Sequence, residues 1–137
     1  MTDMERYYNN TESKTPRNNV QYYINEIQCP AGNAIDLGCG AGNDTVYLIQ
    51  NNWNVVAIDK EDVEERIIKR LSKKELTKFT FQKQEFETLV LGKNKLVVAN
   101  YSIPFCNKEK FKEVWDKIKG SIVPRRIFCW EFIWNTG

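Results

Sequence analysis

The sequence predicts an α/β domain in which helices cover both faces of a doubly wound parallel sheet. Two observations support this fold class: short apolar runs alternate with amphipathic segments, and a glycine-rich turn joins the first apolar run to the next amphipathic segment. Right-handed crossovers place such consecutive strands in parallel. Because 137 residues provide one core of ordinary size, we expect a single domain, residues 1–137, with a single site.

The elements of the first half follow from apolar spacing and turn residues. The segment "VQYYINEIQ" has apolar residues at helical intervals and ends near Cys29 and Pro30, which predicts a helix. The runs "NAIDL" and "WNVVAID" predict buried strands. Between them, "NDTVYLIQNN" predicts a helix that Asn43 or Asp44 caps. The segment "EDVEERIIKRL" predicts the next helix, since its acidic start and basic end suit the helix dipole.

The second half continues the alternation of strands and helices. "KFTFQKQEF" places Phe79 and Phe81 among polar neighbours and predicts a third, less buried strand, and "KLVVANY" predicts a fourth. "NKEKFKEVWDKIKG" has apolar residues at i, i+3, i+4 and i+7 between Asn107 and Gly120, which predicts a helix. The tail "RRIFCWEFIW" is compatible with a fifth strand.

Composition excludes several classes of function. A formal charge of +2 does not favour nucleic-acid or membrane partners, and the sequence has neither an apolar run of membrane-spanning length nor the order of a signal peptide. We therefore expect a cytoplasmic protein. The four cysteines are scattered without a C-x-x-C pair, so we expect no metal site and no disulfide framework. With no histidine in the chain, Ser-His-Asp and Cys-His catalysis are excluded.

The stretch "AIDLGCGAGNDT", residues 34–45, is the candidate ligand-binding turn. Gly38, Gly40 and Gly42 form G-x-G-x-G, whereas a dinucleotide site needs G-x-G-x-x-G and a P-loop needs Gly-Lys-Ser/Thr. This closer spacing, with Asp36 two residues before the first glycine, favours a ligand that presents an ammonium and a carboxylate over one that presents a pyrophosphate.

Asp59, at the end of the second predicted strand, indicates the other half of the ligand. In nucleotide-binding sheets an acid about 20 residues past the glycines binds the ribose, and an ionised carboxylate accepts hydrogen bonds from both ribose hydroxyls. A nucleoside joined to an amino acid is S-adenosylmethionine, which we therefore predict as the cofactor.

The motifs "DLGCGAG" and "AIDKE" resemble the paired cofactor motifs of class I S-adenosylmethionine-dependent methyltransferases. The short chain with its polar lead resembles most the small-molecule, tellurite-resistance-like group. The resemblance extends from the N-terminal helix to about Pro124 and implies a Rossmann-like fold. It also implies three parts: a lid and helix over residues 1–28, a cofactor-binding core over 33–124, and an atypical tail over 125–137.

The resemblance further implies roles for individual residues. Asp36 would hold the methionyl part, Asp59 the ribose and Glu85 the adenine. The complete set of predicted cofactor-binding residues is Asp36, Gly38, Cys39, Gly40, Asn43, Asp44, Asp59, Lys60, Glu85, Phe86, Asn100 and Tyr101.

The predicted activity is transfer of a methyl group to a small-molecule acceptor. Because the sulfonium already activates the methyl group, the protein mainly aligns donor and acceptor, and no catalytic residue is assigned. The acceptor-side candidates lie in the polar lead, which would fold over the cofactor, and after the fourth strand; they are Tyr7, Tyr8, Lys14, Arg17 and Ser102.

The tail departs from the family's pattern after Pro124, where Arg125 and Arg126 stand in place of two glycines. Skipping one base in a suitable set of codons for "RRIFCWEFIWNTG" yields "GGYFVGNLFGIQ", which resembles the family's fifth strand. We therefore predict a frameshifted, truncated chain that lacks the usual final antiparallel strands. Sequencing the locus tests this, because an in-frame gene without a downstream coding remnant would contradict it.

Truncation would also change what the protein does. An exposed sheet edge and apolar face would favour self-association. Two alternatives to an active methyltransferase stay open: a non-catalytic remnant that binds only the cofactor, and a nucleotide-dependent oxidoreductase.

Overall fold

A parallel sheet of four strands forms the centre of the domain in the computed structural model, which describes residues 18–22, 24–25, 30–99 and 108–121. The strands are β1 (Asn33–Leu37), β2 (Asn54–Asp59), β3 (Phe79–Lys83) and β4 (Leu96–Val98). Their order is β3-β2-β1-β4, and each neighbouring pair is parallel. The predicted α/β fold with a parallel sheet is therefore confirmed.

The described helices lie between and beside these strands. They are α1 (Asn18–Tyr22), α2 (Asn43–Gln50), α3 (Glu64–Ile68), α4 (Lys73–Leu76) and α5 (Phe111–Ser121). Short 3₁₀ turns cover Phe86–Thr88 and Lys108–Lys110. Within this described part of the chain, no helix is long and apolar enough to cross a bilayer.

Alternate residues of β1 pack on opposite faces of the sheet. Ala34 belongs to a buried cluster that contains Leu48 and Ile49 of α2. Its neighbour Ile35 belongs to a second cluster, which contains Val114 and Ile118 of α5. Because strand side chains alternate between faces, a strand that is apolar throughout must be covered on both sides. The two clusters confirm that helices cover both faces.

The start of α2 differs from the prediction that Asn43 or Asp44 caps it. The capping residue is Gly42, with a φ of 87°, and no side chain caps the helix there. Asn43 is already the first helical residue. Since the chain enters the helix through a left-handed glycine, the residue at the capping position has no side chain with which to accept an amide.

The predicted helix over residues 61–71 is shorter in the structure: α3 covers only Glu64–Ile68, and a separate helix, α4, begins at Lys73. Ser72 Oγ accepts a hydrogen bond from Glu75 N at 3.1 Å, and Ser72 N donates to Glu75 Oε1 at 2.9 Å. This reciprocal capping box starts α4. A smaller difference is that α5 ends at Ser121, one residue beyond the predicted end at Gly120.

Several predictions fall outside the described residues. The N-terminal lid, the fifth strand, the missing antiparallel strands and the self-associating edge all depend on residues 1–17 and 122–137. The predicted site residues outside the described part of the chain are Tyr7, Tyr8, Lys14, Arg17, Asn100, Tyr101 and Ser102. For Phe86, only the backbone belongs to the described part.

Candidate functional site

The glycine turn, residues 38–42, connects β1 to α2 at the carboxyl end of the sheet. β1 lies between β2 and β4, so the turn is at the point where the strand order reverses, which is where such sheets bind ligands. Gly38, Gly40 and Gly42 have φ values of 68°, 54° and 87°. All three are in the left-handed region, which explains the spacing of the motif.

Backbone hydrogen bonds attach the glycine turn to the end of β2. Gly38 N and Cys39 N both donate to Ile58 O, at 2.7 and 3.1 Å. Within the turn, Gly42 N donates to Cys39 O at 2.9 Å. The turn is therefore anchored to the neighbouring strand along its first half.

The carboxylate of Asp59 bonds to backbone amides on two segments. Oδ2 accepts from Gly40 N at 2.9 Å, and Oδ1 accepts from Glu61 N at 2.9 Å. The residue is 7% exposed. Because a carboxylate has about four acceptor positions, each oxygen retains the capacity to accept from a ligand hydroxyl. Asp59 thus joins the glycine turn to the chain that follows β2.

Asp36 is a buried carboxyl directly below the turn. It is 2% exposed, and its Oδ2 accepts a hydrogen bond from Thr45 Oγ1 at 2.6 Å. Burial raises the pKa of Asp36 well above its ordinary value, and repulsion from Asp44 and Asp59 raises the pKa further against the opposing Thr45 hydrogen bond. Three carboxyl groups therefore lie close enough at the turn to repel one another when ionised, and a bound cation would relieve that repulsion.

Cys39, inside the turn, is a small buried residue. Burial raises the pKa of its thiol well above the ordinary value, and the nearby Asp36 and Asp59 carboxylates add to the shift. Since the thiolate is the nucleophile and the metal ligand, a thiol that stays protonated serves neither role. Among the described residues, no group of three or more cysteine, aspartate and glutamate side chains is arranged to hold a metal ion.

Helix α3 packs against the glycine turn. A Cβ placed on Gly42 would lie 2.5 Å from Ile67 Cγ1, closer than any ordinary contact. Three residues further along the chain, Arg70 Nη1 donates to Ala41 O at 2.8 Å. The turn is therefore in contact with a helix that belongs to neither cofactor motif.

The structure brings together the predicted site residues of the described segments to different degrees. The turn contains the three predicted glycines, and the carboxyl groups beside it are those of Asp36, Asp44 and Asp59. Gln84 N donates to Asp59 O at 3.0 Å, which brings the segment containing Glu85 to the same end of the sheet. The side chains of Lys60 and Glu85 are exposed.

Thr45 and Arg70 are contacts of the site that the sequence reasoning missed. Thr45 is fully buried although it is polar and lies in the first turn of a helix. Such a position is a usable signal, because a buried hydroxyl needs a partner. For Arg70, nothing in the sequence indicates this contact. Arg70 lies in a basic stretch that suggests only a solvated helix end, and the residue that it contacts is 29 positions earlier in the chain.

Known structures with the same fold include three that match most of this chain. One is a proposed S-adenosyl-L-methionine-dependent methyltransferase from Methanococcus maripaludis: 18% identity, TM-score 0.70, covering 89% of this chain and 61% of that one. N-methyltransferase NodS from Bradyrhizobium japonicum WM9, in complex with S-adenosyl-L-homocysteine, has 16% identity and a TM-score of 0.71, covering 88% and 66%.

The third known structure is 1,6-didemethyltoxoflavin-N1-methyltransferase from Burkholderia thailandensis, with bound 1,6-didemethyltoxoflavin and S-adenosylhomocysteine. It has 17% identity and a TM-score of 0.68, covering 88% of this chain and 52% of that one. This chain therefore spans between 52% and 66% of the lengths of the three proteins. At these identities the likeness establishes the fold alone.

Sequence comparison establishes the family. No curated protein sequence gives a significant match. Residues 34–125, more than half of the chain, match the family described as "Methyltransferase domain". This segment contains the glycine turn, Asp59, the strands β2 to β4 and all of β1 except Asn33. The chain therefore belongs to the methyltransferase domain family.

Proposed function

We propose that this protein is an S-adenosylmethionine-dependent methyltransferase that transfers a methyl group to a small-molecule acceptor. The observation that carries the proposal is the buried Asp36 carboxyl beneath a left-handed glycine turn. The family supports the reaction class, and two of the known structures of this fold contain S-adenosylhomocysteine, the demethylated product of the cofactor.

The chemistry of the described side chains fits a cationic ligand. Asp44 and Asp59 act on Asp36 through repulsion strong enough to add to the effect of burial on its pKa. A ligand with an ammonium and a sulfonium would relieve that repulsion, whereas a pyrophosphate would increase it. The acidic turn therefore supports S-adenosylmethionine over a dinucleotide or a nucleoside triphosphate.

The proposed roles follow from the positions of the groups. Asp36 and the glycine backbone would hold the methionyl part. Asp59 would accept from the ribose hydroxyls while it keeps its hydrogen bond to Gly40 N, so that ribose binding and turn geometry depend on one side chain. Glu85 would lie on the adenine side, since its segment follows β3, the strand beside β2.

The protein's part in the reaction is alignment. The cofactor supplies a methyl group already activated by the sulfonium charge. The chain would hold the donor at the carboxyl end of the sheet and orient an acceptor against it, which requires no dedicated base. A small acceptor is supported by the resemblance to the small-molecule group and by the Burkholderia enzyme, whose structure contains a small heterocycle.

Calorimetric titration tests the cofactor assignment. The purified chain should bind S-adenosylmethionine and S-adenosylhomocysteine, each at one site, and should not bind a nicotinamide dinucleotide. Binding of the dinucleotide without S-adenosylmethionine would overturn the assignment in favour of an oxidoreductase.

Turnover is measured separately. Incubation with S-adenosylmethionine and a panel of small amines, thiols and heterocycles should release S-adenosylhomocysteine, detected by mass spectrometry, in the presence of the correct acceptor. Cofactor binding without release for any acceptor would support the alternative of a non-catalytic chain that only binds the cofactor.

A further inference from the structure

Arg70 contacts the glycine turn from outside the motifs that define it. Its Nη1 donates to Ala41 O at 2.8 Å, across 29 positions of sequence. The backbone of Arg70 is itself held at the end of α3, where Arg70 N donates to Ile67 O at 3.0 Å. The backbone from which the Arg70 side chain extends to the turn is therefore fixed by a hydrogen bond.

The Ala41 carbonyl lies where a helix supplies no donor for it. It precedes Gly42, the capping residue of α2, and the first intrahelical hydrogen bond goes to Gly42 O from Val46 N at 2.8 Å. A carbonyl in this position needs a donor from elsewhere. A charged guanidinium makes a stronger hydrogen bond to it than a neutral group would.

The peptide unit between Ala41 and Gly42 is consequently held at both ends. Its carbonyl accepts from Arg70, and its amide, Gly42 N, donates to Cys39 O at 2.9 Å. Ile67 lies directly against the α-carbon of Gly42 and blocks movement toward α3. These three contacts restrict rotation of this peptide unit, which the glycine on its C-terminal side, Gly42, would otherwise permit.

We propose that Arg70 is a positioning residue for the amino-acid part of the cofactor, an inference that rests on the proposed function. By holding the Ala41–Gly42 peptide, Arg70 keeps the glycine turn in the shape that receives the methionyl group, without touching the ligand. The ribose and adenine would be received by Asp59 and the segment after β3. Asp59 bonds to Gly40 N in the turn, but it is also fixed by β2 and by Glu61 N, so its position depends less on the turn than the methionyl site does. Loss of Arg70 therefore weakens binding of the methionyl part more than binding of the ribose and adenine.

A pair of ligands separates this role from a general effect on folding. S-adenosylhomocysteine contains adenosine and the amino-acid part, whereas methylthioadenosine contains adenosine and the thioether alone. Arg70→Met should raise the Kd for S-adenosylhomocysteine about tenfold, as expected for loss of a charge-assisted hydrogen bond, and leave the Kd for methylthioadenosine within about twofold. Arg70→Lys, which keeps a charged donor, should be intermediate for the first ligand.

Lys73→Met is the matched control. Lys73 is exposed on α4, and its replacement removes the same charge close by in the sequence, so both affinities should stay at the wild-type value. If Arg70→Met does not fold, the ratio of the two affinities in Arg70→Lys decides in its place.

The outcomes separate this inference from the proposed function. Equal weakening of both ligands, or no weakening of S-adenosylhomocysteine, in an Arg70 variant overturns the positioning role while the proposed function stands. Failure of the wild-type chain to bind S-adenosylhomocysteine overturns both.

Discussion

Hydrogen bonds join neighbouring segments of the chain at both ends of the sheet, but the two ends differ in the charge of the side chains that they bury. At the carboxyl end, the buried polar groups include the carboxyls of Asp36 and Asp59. At the amino end, the buried polar side chains among the described residues are those of Asn94 and Ser121, and both are neutral. Asn94 N donates to Ser121 O at 2.7 Å, which joins the start of β4 to the end of α5.

The charged ends of Lys93 and Lys95, at the amino end, remain in water. Lys93 Nζ donates to Gly120 O at 2.8 Å and Lys95 Nζ donates to Pro30 O at 3.0 Å, and both contacts are exposed. Burying a neutral, hydrogen-bonded amide costs little, whereas burying a carboxylate costs far more. The hydrogen bonds at the amino end therefore stabilise the fold at little cost. At the carboxyl end, burial of the Asp36 and Asp59 carboxyls carries a desolvation cost that a cationic ligand would offset.

The largest expected effect is from Gly42→Ala at the carboxyl end. The new Cβ would meet Ile67 at 2.5 Å, and alanine disfavours a φ of 87°. We expect a loss of about 2–4 kcal/mol in the free energy of unfolding, measured by chemical denaturation. Gly120→Ala is the control, since a Cβ there meets nothing within 4 Å and alanine favours the helix of α5. Equal stability of the two variants would contradict the prediction.

Asp59→Ala should weaken S-adenosylmethionine binding by about 1–3 kcal/mol, because the ribose hydroxyls would lose their acceptor. The same change leaves Gly40 N and Glu61 N without the Asp59 carboxylate, so the free energy of unfolding should fall as well. Titration calorimetry and denaturation measure the two effects. An unchanged affinity would refute the ribose role.

Asp36→Asn should separate stability from binding. In the folded protein the pKa of Asp36 is raised above its ordinary value of 3.8, so the folded state binds more protons than the unfolded chain between these two pKa values. The free energy of unfolding therefore falls as pH rises through that window. The neutral variant lacks this dependence, and it should gain stability over the wild type as pH rises.

Asp36→Asn should also weaken binding of the cofactor. S-adenosylmethionine affinity should fall about tenfold at about pH 8, because the ammonium loses the carboxylate that Asp36 provides once it is ionised. Denaturation at about pH 4.5 and about pH 8 checks the first effect, and calorimetry at about pH 8 checks the second. A variant that is less stable at the higher pH would contradict the raised pKa.

Asn94→Ala, at the amino end, has the smallest expected effect. It removes the hydrogen bond from Asn94 Nδ2 to Gly92 O and keeps the backbone bond to Ser121 O. We expect a loss of about 1 kcal/mol in the free energy of unfolding and unchanged cofactor affinity. A clear loss of affinity would show that the two ends are not independent.

The fold and the outline of the site were predictable because both depend on local sequence patterns. Alternating apolar runs determined the strands, and the glycine spacing with Asp36 and Asp59 located the candidate site. Two predictions about helix ends were wrong. Gly42 replaced Asn43 as the capping residue of α2, and α3 covers only Glu64–Ile68 of the helix predicted over residues 61–71, with a separate helix starting after the capping box at Ser72.

The sequence by itself determined the fold class, the family and the residue types available to the proposed cofactor site, because these depend on periodicity and on short motifs. Only the tertiary structure decided what holds that site. The Thr45 hydroxyl on Asp36, the close contact of Ile67 with Gly42 and the Arg70 hydrogen bond to Ala41 O all depend on how helices pack against the turn. Such contacts join residues far apart in the chain, and no local pattern records them.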